Sequence, residues 1–167
     1  LIENYLSVYP DKKQELLYGR GDYGFYDSVG VVRPRRDTYV NNNGKIRQYG
    51  AVYHSEEKAA RPGFQAQGTN WLKDREGNKV TTNLFGKLMT LAVNKFALLD
   101  SQGLGVEMEG GKPGWNDAMN GLPGLFGSSM PETLELKRVV DFLADEVQER
   151  AKAGEKGQEL PEALARF

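Results

Sequence analysis

The residues best equipped for chemistry lie together in Gly114-Trp115-Asn116-Asp117. An indole face stacks on the apolar C–H face of a pyranose, and an asparagine amide both donates to and accepts from ring hydroxyls. A carboxyl group can deliver a proton, and one held beside an indole and away from bulk water has its pKa raised toward the range a general acid needs. The same residues also fit a plainer role, in which Trp115 anchors its loop in a core and Asp117 caps a turn. Glu107 and Glu109 stand just upstream on an expected strand, Gly105-Val106-Glu107-Met108-Glu109, where alternation puts both on one face. Either glutamate is placed to bind sugar hydroxyls or act as a base, or simply to face water. Lys112 and Asn116 are further candidates for the same pocket.

Other polar groups offer less. Arg33-Pro34-Arg35-Arg36 is a local basic cluster that suits either phosphate or plain solvent. His54 is the one histidine; with no companion His or Cys it anchors no zinc site, and no nucleophile-elbow sequence supports a Ser-His-Asp triad. Arg20-Gly21-Asp22 lies in a glycine-punctuated loop and is short enough to arise by chance. The tyrosines of the first third (Tyr18, Tyr23, Tyr26, Tyr39, Tyr49, Tyr53) suit carbohydrate contact and half-buried strands equally well.

Pro113-Gly114-Trp115-Asn116-Asp117-Ala118-Met119-Asn120-Gly121 resembles the Gly-Asp-Trp-Asn-Asp-Gly-Met-Asn motif of cellobiose phosphorylase and related glycoside phosphorylases. The resemblance extends from Gly110 to Leu134 and includes Ser129-Met130-Pro131-Glu132 opening a helix. It implies a six-hairpin glycosidase type of fold, the (α/α)6 barrel, with this loop at the barrel mouth. It also implies Asp117 as proton donor and Trp115 as a sugar platform. Gly114 stands where the family has its first aspartate, and Ala118 where it has a glycine. Breaking a glycosidic bond this way needs a proton on the leaving oxygen. Either a second carboxylate activates water, or inorganic phosphate itself attacks as co-substrate. No other cofactor and no metal is expected.

Elements must position these groups. The loop 101–128 is rich in glycine yet carries Trp115, Phe126 and two methionines, unlike a merely flexible linker. It is expected to join two amphipathic helices. In the first, Phe85, Met89, Ala92, Phe96 and Leu99 keep helical spacing, and Leu84, Leu88 and Leu91 widen the stripe enough to predict burial on more than one side. The second starts at a Ser129–Glu132 capping box, repeats apolar residues at Leu136, Val139, Val140, Leu143 and Val147, and ends at Gly154. Its charged residues, Glu146, Glu149 and Arg150 among them, read as a solvated face. Earlier in the chain, Asp11 is expected to cap a short helix ending at Gly19. Asn43-Gly44 signals a hairpin with Lys45–Tyr53 as the returning strand, and a weaker hairpin turns at Glu76-Gly77-Asn78. The fold class is therefore mainly α with β-hairpin excursions, a partial segment of an (α/α)6 barrel. Residues 1–82 form an irregular, hairpin-containing portion and 83–167 a helix–loop–helix portion.

Composition narrows the function classes. The 167 residues carry 22 Lys+Arg against 23 Asp+Glu, a net charge of -1, so no nucleic-acid partner is expected. With 39% hydrophobic residues and no apolar run of membrane-spanning length, neither disorder nor a membrane partner is expected. Absence of cysteine excludes disulfides and thiol nucleophiles. A chain opening on Leu1 and closing in the first turn of an apparent helix reads as part of a longer polypeptide, with the remainder as its partner and an oligosaccharide or disaccharide as substrate. A cytoplasmic location is expected. The alternative is a non-catalytic carbohydrate-binding or structural module, the isolated 167 residues being inactive.

Overall fold

The computed structural model describes residues 1–37, 39–48, 52–65, 68–99, 103–107, 128–155, 157 and 160–165. In chain order the elements are α1 (Ile2–Val8), α2 (Lys13–Tyr18), β1 (Tyr23–Gly24), β2 (Gly30–Val32), β3 (Tyr39–Asn42), β4 (Lys45–Gln48), β5 (Val52–His54), α3 (Glu56–Ala59), β6 (Thr81–Thr82), α4 (Leu84–Phe96), β7 (Val106–Glu107), β8 (Ser128–Ser129), α5 (Met130–Lys152) and α6 (Glu162–Ala165). Single 3-10 turns occupy Pro10–Lys12 and Arg35–Asp37. Among the described residues, no helix is long and apolar enough to cross a membrane.

These elements form two compact units, and each draws on chain from both sides of residue 82. The first comprises Leu1–Tyr26, Trp71–Asn94 and Leu136–Phe167; the second comprises Asp27–Asn70 and Lys95–Glu135.

The first unit is organised around α2, α4 and α5. Among the described residues, its buried apolar side chains are Leu17 of α2, Phe85 and Ala92 of α4, and Leu136 and Leu143 of α5. Positions seven apart on each long helix fall nearly one above the other, so each helix presents one buried line. The Tyr18 ring lies against Phe85 with centroids 5.4 Å apart. The wide apolar stripe of α4 does not bury it on more than one side: Leu91 and Phe96 are exposed. The helix also stops at Phe96, short of Leu99, whose backbone pairs instead with Val106. Asn83 sets the start of α4, its buried Oδ1 accepting from Gly86 N–H at 2.9 Å. Asn83→Ala removes that acceptor and is expected to cost about 1–2 kcal/mol, read as a lower urea midpoint at unchanged slope.

At the far end of α5, Gly154 N–H donates to Ala151 O and Glu155 N–H to Arg150 O, the doubled Schellman closure that a glycine there announces. Gly154 takes φ 68. By contrast, Asp11 caps nothing. It sits inside the 3-10 turn, and Lys12 is already helical where α2 begins, so no extended residue is left to turn its side chain back.

In the second unit β3 and β4 form the expected hairpin, with Asn43 at φ 51 and Gly44 at φ 78. Two successive left-handed residues make the turn whose twist matches the strands, and glycine adopts that conformation without cost. The returning strand is shorter than expected. Lys45–Gln48 pairs with β3, whereas Val52–His54 pairs with β2 in the register Gly30↔His54 and Val32↔Val52. The weaker hairpin, in the first unit, turns as expected: Lys73 bridges Lys79, and Asp74 Oδ1 accepts from Asn78 N–H at 2.8 Å.

Candidate functional site

Within the second unit, the described chain on either side of the candidate loop is tied into a neck. β7 and β8 pair antiparallel, Val106 opposite Ser129 and Glu107 opposite Ser128. Thr133, in the first turn of α5, secures both strands. Its hydroxyl donates to Ser129 O at 2.7 Å and accepts from Val106 N–H at 2.9 Å. Val106 is fully buried, and its backbone also bridges Leu99 beyond the end of α4. Nearby, Lys95 Nζ donates to Glu132 Oε1 at 2.8 Å, so one carboxylate oxygen of the expected capping box is turned to a lysine.

Beyond the neck, Glu109, Lys112, Trp115, Asn116 and Asp117 lie outside the described residues. Glu107 is placed by its backbone in β7, which covers Val106–Glu107 of the expected strand Gly105–Glu109; Gly105 lies in a bend before it, and Met108 and Glu109 lie outside the described residues.

The lesser candidates are on exposed chain. Arg33 lies over the Tyr53 ring, 4.9 Å from its centroid, and Arg36 Nε is 3.6 Å from Asp37 Oδ1. His54 Nε2 is 3.6 Å from Glu56 Oε1. No group of three or more His, Asp or Glu able to hold a metal occurs among the described residues. Arg20 and Asp22 are turned on each other through paired hydrogen bonds of 3.0 and 2.8 Å, so neither presents a free charge outward.

The charged face of α5 is solvated at Glu135, Lys137, Arg138, Asp145 and Glu149, as expected, but a cluster in the first unit corrects that reading at Glu146 and, in part, at Arg150. Glu146 is 4% exposed. Its Oε2 forms an ion pair with Lys13 Nζ, and its Oε1 accepts from the Tyr18 hydroxyl at 3.1 Å. Lys13 also reaches Glu149 Oε2 at 2.5 Å, and the Arg150 guanidinium lies 4.0 Å over the Tyr18 ring. A signal for this was present. Glu146 is three residues past buried Leu143 and Arg150 is seven past it, so both continue the buried line of the helix. Their charge alone suggested solvent. The cluster joins α2 to α5 and is a structural network.

Its titration has a definite sign. Burial pushes the Tyr18 phenol well above its ordinary value, and the Glu146 charge that it hydrogen-bonds acts the same way, with Arg150 opposing. Desolvation would lower Lys13, but hydrogen bonds to Glu146 and Glu149 outweigh it and the ammonium is raised above 10.5. The hydrogen bond from Lys13 holds Glu149 below 4.5. Raised groups contribute stability that is lost as pH climbs past their unfolded values; a lowered carboxylate contributes stability lost as pH falls through its folded value. Stability is therefore expected to be flat between about pH 5 and 9.5 and to fall on both sides. Thermal unfolding across that range checks it, and Lys13→Met should flatten the acid limb due to Glu149.

Comparison with protein-family models, with curated proteins and with solved structures finds no match.

Proposed function

We propose that the chain is a segment of a carbohydrate-active enzyme, built on the (α/α)6-barrel plan, that cleaves a glycosidic bond by phosphorolysis or inverting hydrolysis. Asp117 is the general acid. The observation that carries this reading is the cluster Trp115-Asn116-Asp117-x-Met119-Asn120, set between two helices in the manner of the glycoside phosphorylase motif. The tied neck at Val106 and Ser129 supports it, because it anchors both ends of the motif-bearing stretch beside the start of α5.

In this mechanism Trp115 stacks on the sugar and Asn116 hydrogen-bonds its hydroxyls while Asp117 protonates the leaving oxygen. If phosphate attacks the anomeric carbon, no protein base is needed. If water attacks, Glu107 or Glu109 removes its proton from the opposite side of the ring, which requires about 6.5–9.5 Å between the two carboxyl groups. The sugar released after phosphorolysis is a glycosyl phosphate; after hydrolysis it is a free, inverted sugar.

The test is turnover of a disaccharide panel, with and without inorganic phosphate, by the chain and by a longer polypeptide that contains it. Release of a glycosyl phosphate, lost in Asp117→Asn, is the expected result. Undiminished turnover in that variant overturns the assignment of Asp117. Sugar binding with no turnover from either polypeptide overturns the enzyme and leaves a binding module.

A further inference from the structure

A second aromatic surface lies in the first unit, on a small sheet corner. Past β1 the chain continues through Phe25 to Tyr26, which bridges Trp71. Leu72 N–H donates to Phe25 O at 2.8 Å, Val80 N–H donates to Leu72 O at 2.9 Å, and Lys73 bridges Lys79. Residues directly opposed in an antiparallel pair project from the same face, as do residues two apart in one strand. Gly24, Tyr26, Trp71, Lys73 and Lys79 therefore share one face.

Side-chain geometry agrees with that assignment. Lys79 Nζ lies 4.0 Å over the Trp71 ring. A Cβ on residue 24 would fall 2.2 Å from Lys79 Cε and 2.9 Å from Trp71 Cε3, so the missing side chain at Gly24 lets both lie down on the backbone. The rings remain open to solvent, Tyr26 at 61% and Trp71 at 45% exposed.

The charge on this face is compensated only in part, by the Asp22 carboxylate on which the Lys79 charge acts. Like charges directly opposite across a strand pair repel, yet Lys73 and Lys79 are so placed, and neither makes an ion pair within 4 Å among the described residues. The nearby carboxylate, Asp22, is engaged by Arg20 through both oxygens. An anion seated between the two ammonium groups would relieve the repulsion. Tyr26, and the exposed part of the Trp71 ring away from Lys79, offer apolar surface beside it. A ligand matching both has a hydrophobic ring face and a negative group on the same small molecule.

We propose that this face binds a saccharide carrying an anionic group, a uronate or a sugar phosphate, with pyranose rings on Tyr26 and Trp71 and the anion between Lys73 and Lys79. The choice of a sugar rests on the proposed function; the aromatic and cationic geometry does not. Asp117 takes no part in it.

The chain has two tryptophans, so Trp115→Phe leaves Trp71 as the sole reporter. Its emission is expected to change saturably on titration with tetragalacturonate or with glucose 1-phosphate, and which of the two acts identifies the anion. Neutral cellotetraose should bind about tenfold more weakly or worse, and Lys73→Gln/Lys79→Gln should lose a similar factor against the anionic sugar. Trp71→Phe, followed by calorimetry in place of emission, should weaken binding of the anionic sugar by a similar factor, with circular dichroism unchanged in every variant. No response to either anionic sugar, equal affinity for cellotetraose, an unaffected lysine variant, or tighter binding of an oligothymidylate each overturns the proposal. Turnover that depends on Asp117 while Trp71 stays silent would sink this surface alone; a Trp71 response without turnover would sink the enzyme alone.

Discussion

Lys13→Met is expected to destabilise the chain by about 3 kcal/mol, seen as a lower urea midpoint with an unchanged slope. Glu146 is 4% exposed, so removing its counter-ion strands a carboxylate in the interior. Breaking a buried pair costs roughly 3–5 kcal/mol on one side only, because the orphaned charge keeps its full desolvation penalty. The lower end applies, since the Lys13 side chain is itself 32% exposed and the Tyr18 hydroxyl still donates to Glu146. Lys13→Met/Glu146→Gln separates the causes. Glutamine keeps an acceptor for Tyr18 but no charge, so the double variant should recover most of the loss. If the single variant matches wild type, or the double variant is no better, the cost does not come from a buried charge.

Asp117→Asn is expected to lower turnover about 10²–10⁴-fold, the usual contribution of a positioned general acid. The substitution keeps size and hydrogen-bonding capacity while removing the transferable proton, so sugar affinity should stay within a few-fold of wild type. A fall confined to KM would mean that Asp117 only holds substrate. Leaving-group dependence sharpens the reading. A substrate whose leaving oxygen needs no proton, such as an activated aryl glycoside or glycosyl fluoride, should retain far more activity in the variant than a disaccharide does.

The parts legible in the sequence were those governed by local physics. Apolar spacing marks α4 and α5, Gly154 marks the end of α5, and Asn43-Gly44 marks a hairpin turn; all depend on residues a few positions apart. What escaped was set by distant chain. Val52–His54 follows β4 closely yet pairs back to β2, and no turn signal reports that choice. Glu146 and Arg150 continue a buried line, but their burial depends on Lys13 and Tyr18, more than a hundred residues earlier. The stripe of α4 overshot for a related reason: Leu99 keeps the period, but its backbone pairs with Val106. At the candidate site, the Trp115–Asp117 chemistry was read from residue types, and β7 was legible as a short extended run before it. The clamp from Thr133 was not, because a threonine one turn into a helix carries no mark of the strand it holds.

That clamp fixes the two points between which any insertion after Glu107 and before Ser128 has to close. With Val106 and Ser129 held opposite each other by main-chain pairing and one hydroxyl, the ends stay in register whatever is spliced between them. Doubling the length of such an insert adds only about 0.6 kcal/mol of closure entropy.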